Sequence, residues 1–319
     1  MGADGPGSGG GHRIDVTAAE FDALFESVKA WGRWGDQDER GALNLITPER
    51  VAAATRLVRD GTTVHLGLPL DTRESGHNPT PAVHRMTLLP DTDVGLGSIR
   101  FVKDSVEVDY HNDGHSHLDA LCHVAYRGKL YNDRTSDEVS AKGAGVNAID
   151  AADSGLVGRG VLLDVPAVRG VPWLEPGESV SRADLEAAEA AEGTRVGEGD
   201  ILLVRTGHVR RLAEHGSWDT ADAKAGMHPT AATFIAERGV AVLGSDGNND
   251  TAPSTTEGVA YPIHVLAIVA MGVHLLDYLD LGDLRTACAS AGRWEFLFVA
   301  APLRIEGGTG SPVNPIAIL

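Results

Sequence analysis

The stretch from Gly160 to Arg205 opens with Gly160-Val-Leu-Leu-Asp-Val165 and closes with Asp200-Ile-Leu-Leu-Val-Arg205, two continuous apolar runs bounded by Gly and Asp. A strand whose side chains are apolar on both faces belongs inside a sheet covered on both sides. Between the runs, Ser181-Arg-Ala-Asp184 is a helix start, with an N-cap serine and an acidic residue three positions later, and Ala- and Glu-rich sequence continues it to Glu192. Strand, helix, strand in that order implies a parallel crossover unit. Arg205-Thr206-Gly207 ends the second run, and ligands gather at strand carboxyl ends in such sheets, so Arg205 is a candidate substrate-binding residue.

The same alternation extends both ways. Toward the C-terminus, a helix is expected over Pro229–Arg238, a buried strand over Gly239–Gly244, an apolar helix over Val265–Met271, a strand over Val273–Asp277 and a last strand over Arg293–Ala300. The Gly- and Pro-rich segment from Gly307 to Pro315 reads as turns. Toward the N-terminus, Phe21, Leu24, Phe25 and Val28 recur at helical spacing after Thr17, with Glu20 completing a capping box. Pro48 starts a second helix expected to reach Val58, Thr62–Leu70 and Arg85–Leu89 read as strands, and Val106–Tyr110 as a strand leading onward. Trp34 lies in a Gly-punctuated loop, where an indole either packs or walls a pocket for a flat organic substrate. No linker interrupts the series, so the chain reads as a flexible Gly-rich tail over residues 1–14 and one α/β domain over 15–319 with an N-terminal helical extension.

Composition narrows the function. The chain has 319 residues, 42% hydrophobic and 23% charged, as expected of a globular protein. A net charge of −18 argues against nucleic acid or an anionic membrane as partner, since both reward clustered Lys and Arg. Cys122 and Cys288 allow neither a disulfide framework nor a Cys-rich zinc site, and a reducing cytoplasm is the expected compartment.

The chemistry concentrates in Tyr110-His-Asn-Asp-Gly-His-Ser-His-Leu-Asp-Ala-Leu-Cys-His123, which holds four of the thirteen histidines and two carboxylates. Imidazole and carboxylate suit a divalent ion such as Zn²⁺ or Mn²⁺, and they are also the usual general acids and bases. His117 and Asp119, two apart, share one face of an extended strand, and His111, Asp113 and His115 fall on the same parity. His123 lies four further on, beyond a small apolar segment expected to turn into a buried helix, and is placed to act as a proton shuttle beside an ion. Burying six ionisable groups in so short a run without a functional reason is costly.

The run Ser116-His-Leu-Asp-Ala-Leu-Cys-His123 resembles the H-x-G-T-H-x-D-x-P-x-H signature of the cyclase family of metal-dependent hydrolases, which includes kynurenine formamidase and isatin hydrolase. His117, Asp119 and His123 match its second His, its Asp and its last His; Ser116 replaces Thr and Leu121 replaces Pro. The family's first metal-binding His falls on Asp113. Either Asp113 substitutes for it, or His111 reaches in, or this branch carries little or no metal. Tyr261-Pro262-Ile263-His264 matches the P-x-H that opens a helix in the family, and Asp277 stands where a Glu is usual. The resemblance implies a swivelling β/β/α fold, a Zn or Mn ion, assembly as a homodimer or homotetramer, and His123 and His264 as catalytic residues beside metal ligands drawn from Asp113, His117, Asp119 and His111. Trp34, Arg205 and Asp277 are then substrate-binding candidates.

Two reactions suit these residues. The first is hydrolysis of a C–N bond in an amide, lactam or formamide of a small cyclic or aromatic metabolite, with His123 as general base. The second is dehydration or ring closure of a small natural-product intermediate by the same histidines with little or no metal.

Overall fold

The structure, a computed structural model, describes residues 14–92 and 94–319; the expected Gly-rich tail lies outside the described residues except for Ile14. The two runs that anchor the reading are strands Leu156–Asp164 and Ile201–Arg205, paired in parallel with Gly160 beside Ile201 and Asp164 beside Arg205. The parallel block continues through Val242–Ser245 to His274–Asp277. Around it a nine-stranded mixed sheet runs in the order Thr63–His65, Ile316–Ile318, Glu295–Ala300, Leu156–Asp164, Ile201–Arg205, Val242–Ser245, His274–Asp277, His117–Asp119, Gly310–Pro312. The expected α/β class is therefore the observed one.

The crossover helix Arg182–Glu192 forms as its capping residues dictate, with Ser181 and Asp184 bonding each other's backbone, and Gly193 ends it in the left-handed conformation. The N-terminal helix Ala18–Val28 has the Thr17–Glu20 capping box. It is less an extension than part of the core: Phe21, Phe25 and Val28 are buried, and Phe21 packs edge-on to Tyr126.

Several local readings need correction. The strand expected over residues 62–70 spans Thr63–His65, after which Leu68 N–H turns to the Ser116 hydroxyl at 2.8 Å. The second helix is α-helical only over Pro48–Ala54 before tightening into a 3₁₀ turn. The strand expected to lead into the histidine run is Lys103–Glu107, which pairs with Val83–Leu88 in a separate, exposed ribbon and stops short of the run. After Asp119 the chain makes a turn, with His123 N–H bonded to Ala120 C=O, and no helix forms there. The helix Pro262–His264 continues as a π-helix over Val265–Met271, every residue of it buried. The segment read as terminal turns supplies Gly310–Pro312, which pairs with His117–Asp119, and the end of the chain supplies Ile316–Ile318.

Among the described residues no helix is long and apolar enough to cross a membrane.

Candidate metal centre

The centre is built where the carboxyl end of His274–Asp277 meets the start of His117–Asp119, with Asp277 directly opposite His117 in the antiparallel pairing. Alternation along the strand puts His117 and Asp119 on one face. Asp119 is fully buried, and neither of its oxygens receives a hydrogen bond. Four imidazoles face it instead. His111 Nδ1 lies 3.0 Å and His117 Nε2 3.5 Å from Oδ1, His264 Nε2 lies 3.5 Å from Oδ2, and His123 Nε2 lies 3.9 Å from Oδ1. Asp277 completes the ring, its Oδ2 3.6 Å from His264 Nε2 and 3.9 Å from His117 Nε2. The result is two sets of three potential ligands sharing Asp119: His111, His117 and Asp119, and Asp119, His264 and Asp277, the ligand atoms of each within 4.8 Å of one another.

Apart from Asp119, the far side of each potential ligand is held by an outer partner. His117 Nδ1–H donates to the His115 carbonyl at 2.8 Å, leaving the Nε2 lone pair turned inward. Asp250 Oδ2 sits 2.5 Å from His264 Nδ1, and the same carboxylate accepts from the backbone N–H groups of Ile263 and His264. Asp277 accepts from the side-chain amides of Asn248 and Asn249. A buried carboxylate with no donors, ringed by imidazole nitrogens whose outer atoms are already committed, has the donor set of a divalent-ion site.

Burial raises the carboxyl of Asp119, but the histidines around it prevail and hold it well below its ordinary range. His264 shifts the other way: burial opposes its charge, while the carboxylates of Asp119, Asp250 and Asp277 around it push it well above the usual imidazole value. His123 is lowered to about 4, chiefly by burial, and is therefore neutral at pH 7. It stacks on His111 with ring centroids 3.9 Å apart and planes 6° from parallel. At 27% side-chain exposure it borders solvent more than the other five residues of the ring.

The remaining candidates separate. Asp113 is turned away from the ring: its Oδ2 pairs with Lys224 Nζ at 3.0 Å, because residues 111–114 form a turn and the parity of an extended strand does not apply to them. His111 comes into the ring from that turn, with Nε2 3.0 Å from the Thr309 hydroxyl. The departure from the family signature at position 113 thus gives no reason to expect a site poor in metal ligands. Asp277 reaches the ring despite its shorter side chain and stands among the potential ligands rather than on a substrate wall. His264 likewise faces the carboxylates.

Arg205 is in a salt bridge with Asp164 at 2.7 Å and borders a separate cavity of about 320 Å³. Trp34 lines another, of about 250 Å³, with Arg33 4.7 Å over its ring. Among the described residues neither cavity is lined by a histidine of the ring. Asp250, Asn248 and Asn249 were missed by sequence reading; the one available signal was the polar Gly247-Asn-Asn-Asp250 directly after a buried strand.

Comparison with known proteins agrees with this geometry. The family described as "Putative cyclase" matches residues 41–249. Isatin hydrolase of Roseibium aggregatum is 26% identical over 212 residues, 64% of this chain and 70% of that protein. A solved structure of a novel cyclase superposes with a TM-score of 0.82 at 32% identity, covering 92% of this chain and 99% of the other. Isatin hydrolase A of Labrenzia aggregata, solved with benzyl benzoate, shares the fold at a TM-score of 0.59 and 22% identity, over 83% of this chain and 94% of that one. On the match over residues 41–249 and the near-complete overlap with a solved cyclase, the chain belongs to the cyclase family.

Proposed function

We propose that this protein is a metal-dependent hydrolase that cleaves a C–N bond, in an amide, lactam or formamide, of a small cyclic or aromatic metabolite. The observation that carries the reading is Asp119, buried without a hydrogen-bond donor at the centre of His111, His117, His264 and Asp277. These five residues would hold a divalent ion, Zn²⁺ or Mn²⁺, and when bound it supplies Lewis-acid polarisation of a carbonyl and lowers the pKa of a water.

The protein's own residues do the rest. Asp250 and the His115 carbonyl fix the orientations of His264 and His117, and Asn248 and Asn249 fix that of Asp277, so the ring is preorganised. His123 stands at the solvent side of the ring with Nε2 turned inward, where it takes a proton from the attacking water and returns it to the leaving nitrogen. Tyr261, 47% exposed and packed edge-on to His264 at 5.6 Å, offers an aromatic wall beside the reacting centre. The relation to an isatin hydrolase supports a hydrolase and makes cyclic amides the first substrates to try.

The test combines elemental analysis of protein purified without chelator with assays on a panel of lactams, formamides and aryl amides. Near-stoichiometric Zn or Mn and metal-dependent ring opening or deformylation are expected. Metal-free protein that converts substrates without consuming water would overturn the assignment in favour of a lyase.

A further inference from the structure

Asp113, half-buried, forms a polar trio with the buried Lys224 and Tyr278 outside the ligand ring. Lys224 Nζ lies 3.0 Å from Asp113 Oδ2, 3.4 Å from Asp113 Oδ1 and 3.4 Å from the Tyr278 hydroxyl. The Lys224 side chain is 3% exposed, so its charge is removed from water and has Asp113 as counter-ion. Each member is tied to a different ligand-bearing segment. Asp113 lies in the turn between His111 and His117. Tyr278 directly follows Asp277 and holds a left-handed backbone conformation, φ 56°, that a non-glycine residue seldom adopts. Lys224 exchanges both backbone hydrogen bonds with Ala252, two residues beyond the Asp250 that orients His264. The two halves of the ligand set, His111 with His117 and His264 with Asp277, are thereby joined from behind.

We infer that Asp113 and Lys224 are a positioning pair: the salt bridge, with the Tyr278 hydroxyl, locks the turn that carries His111 to the segments that carry Asp277 and orient His264, and Asp113 itself does not bind the metal. The inference rests on the proposed metal centre. It also explains how the position that holds a histidine in the family signature can be an aspartate here without emptying the site, since His111 takes the inward place while Asp113 is held by the lysine.

The discriminating comparison uses the full-length protein and its Asp113→Asn, Lys224→Met, Lys224→Arg and double Asp113→Asn/Lys224→Met variants. Two readouts are taken: the Mn²⁺ and Zn²⁺ dissociation constants by chelator competition, and amide hydrogen exchange of residues 111–117 in the metal-free state. Each charge-removing single variant is expected to weaken metal binding roughly tenfold or more and to speed exchange in the turn, with the double variant no worse than either single. Lys224→Arg, which keeps the charge, should stay near wild type and provides a folded reference should Lys224→Met not fold. If Asp113 were a ligand, Asp113→Asn would abolish metal binding while Lys224→Met, by freeing Asp113, would preserve or tighten it; that pattern overturns the inference. Unchanged exchange and affinity in both single variants overturn it as well. A wild-type protein that binds no metal would sink the hydrolase reading, and the exchange data would still judge the pair.

Discussion

Asp250 Oδ2 lies 2.5 Å from His264 Nδ1, and the opposite nitrogen of the same ring faces Asp119 at 3.5 Å and Asp277 at 3.6 Å. A carboxylate behind an imidazole raises its basicity and fixes its tautomer. Asp250→Ala is therefore expected to weaken Zn²⁺ or Mn²⁺ binding by roughly 10- to 100-fold, measured by competition with a chelator. Unchanged affinity would remove His264 from the ligand set.

His123 stands at the edge of the ring and belongs to neither three-residue ligand set. Its replacement by Ala should cut turnover by roughly 10²- to 10⁴-fold while the metal content stays at the wild-type level. Loss of metal in this variant would make His123 a ligand and leave the general base unassigned.

Metal and stability are linked through Asp119. A ligand that binds the folded state at 100 times its dissociation constant adds about 2.7 kcal/mol, which for a chain of this size raises Tm by roughly 4 °C. Wild-type protein should show that rise on metal addition in thermal scans, and Asp119→Asn should show none. In chelator Asp119→Asn should still be the less stable protein, because it loses the attraction of the surrounding histidines that holds the Asp119 carboxyl below its ordinary range.

Asp184 predicts the acid behaviour of the crossover unit. Burial works against its charge, but hydrogen bonds from Arg169 and from the Ser181 side chain and backbone outweigh it, lowering the carboxyl to about 2. A carboxyl lowered on folding stabilises the fold at all pH above its ordinary value of 3.8, and that contribution disappears as pH falls toward 2. The shift corresponds to about 2 kcal/mol. Asp184→Asn should cost roughly that much in urea unfolding at pH 7, with the gap to wild type closing below about pH 3.

The ribbon formed by Val83–Leu88 and Lys103–Glu107, with the segment joining them, exposes Met86, Leu89, Leu96, Ile99, Phe101 and Val102 by about half each. Apolar side chains concentrated in this way commonly mark an association surface. A homodimer or homotetramer is expected in light scattering, and Ile99→Asp with Phe101→Asp should shift it toward the monomer. An unchanged mass would place any interface elsewhere.

The parallel block was legible because fully buried strands carry continuous apolar runs and because the Thr17–Glu20 and Ser181–Asp184 boxes declare their helices locally. The centre was half legible. His117 and Asp119 follow from strand alternation, whereas the inward place of His111 and the outward place of Asp113 depend on a turn whose path is set by Lys224, a residue distant in sequence. Asp277 and His264 were visible as residues, but their joining of one ring around Asp119 comes from the sheet order. Three-residue strands such as Gly310–Pro312 have no period to detect and are defined by the neighbour they bond.

That last strand has a consequence for biosynthesis. Gly310 pairs with Asp119, its carbonyl accepts from the Tyr110 hydroxyl, and a methyl group on its Cα would fall 2.5 Å from the Leu118 carbonyl and 2.8 Å from His111 Cε1. Thr309, its neighbour, holds His111 Nε2. The strand bearing His117 and Asp119 thus stays an open sheet edge, and His111 lacks a support, until the ribosome has released residues 309–312. All five proposed ligands therefore precede the segment that closes the pocket around them, and the ring is complete only once residues 309–312 have folded back onto it.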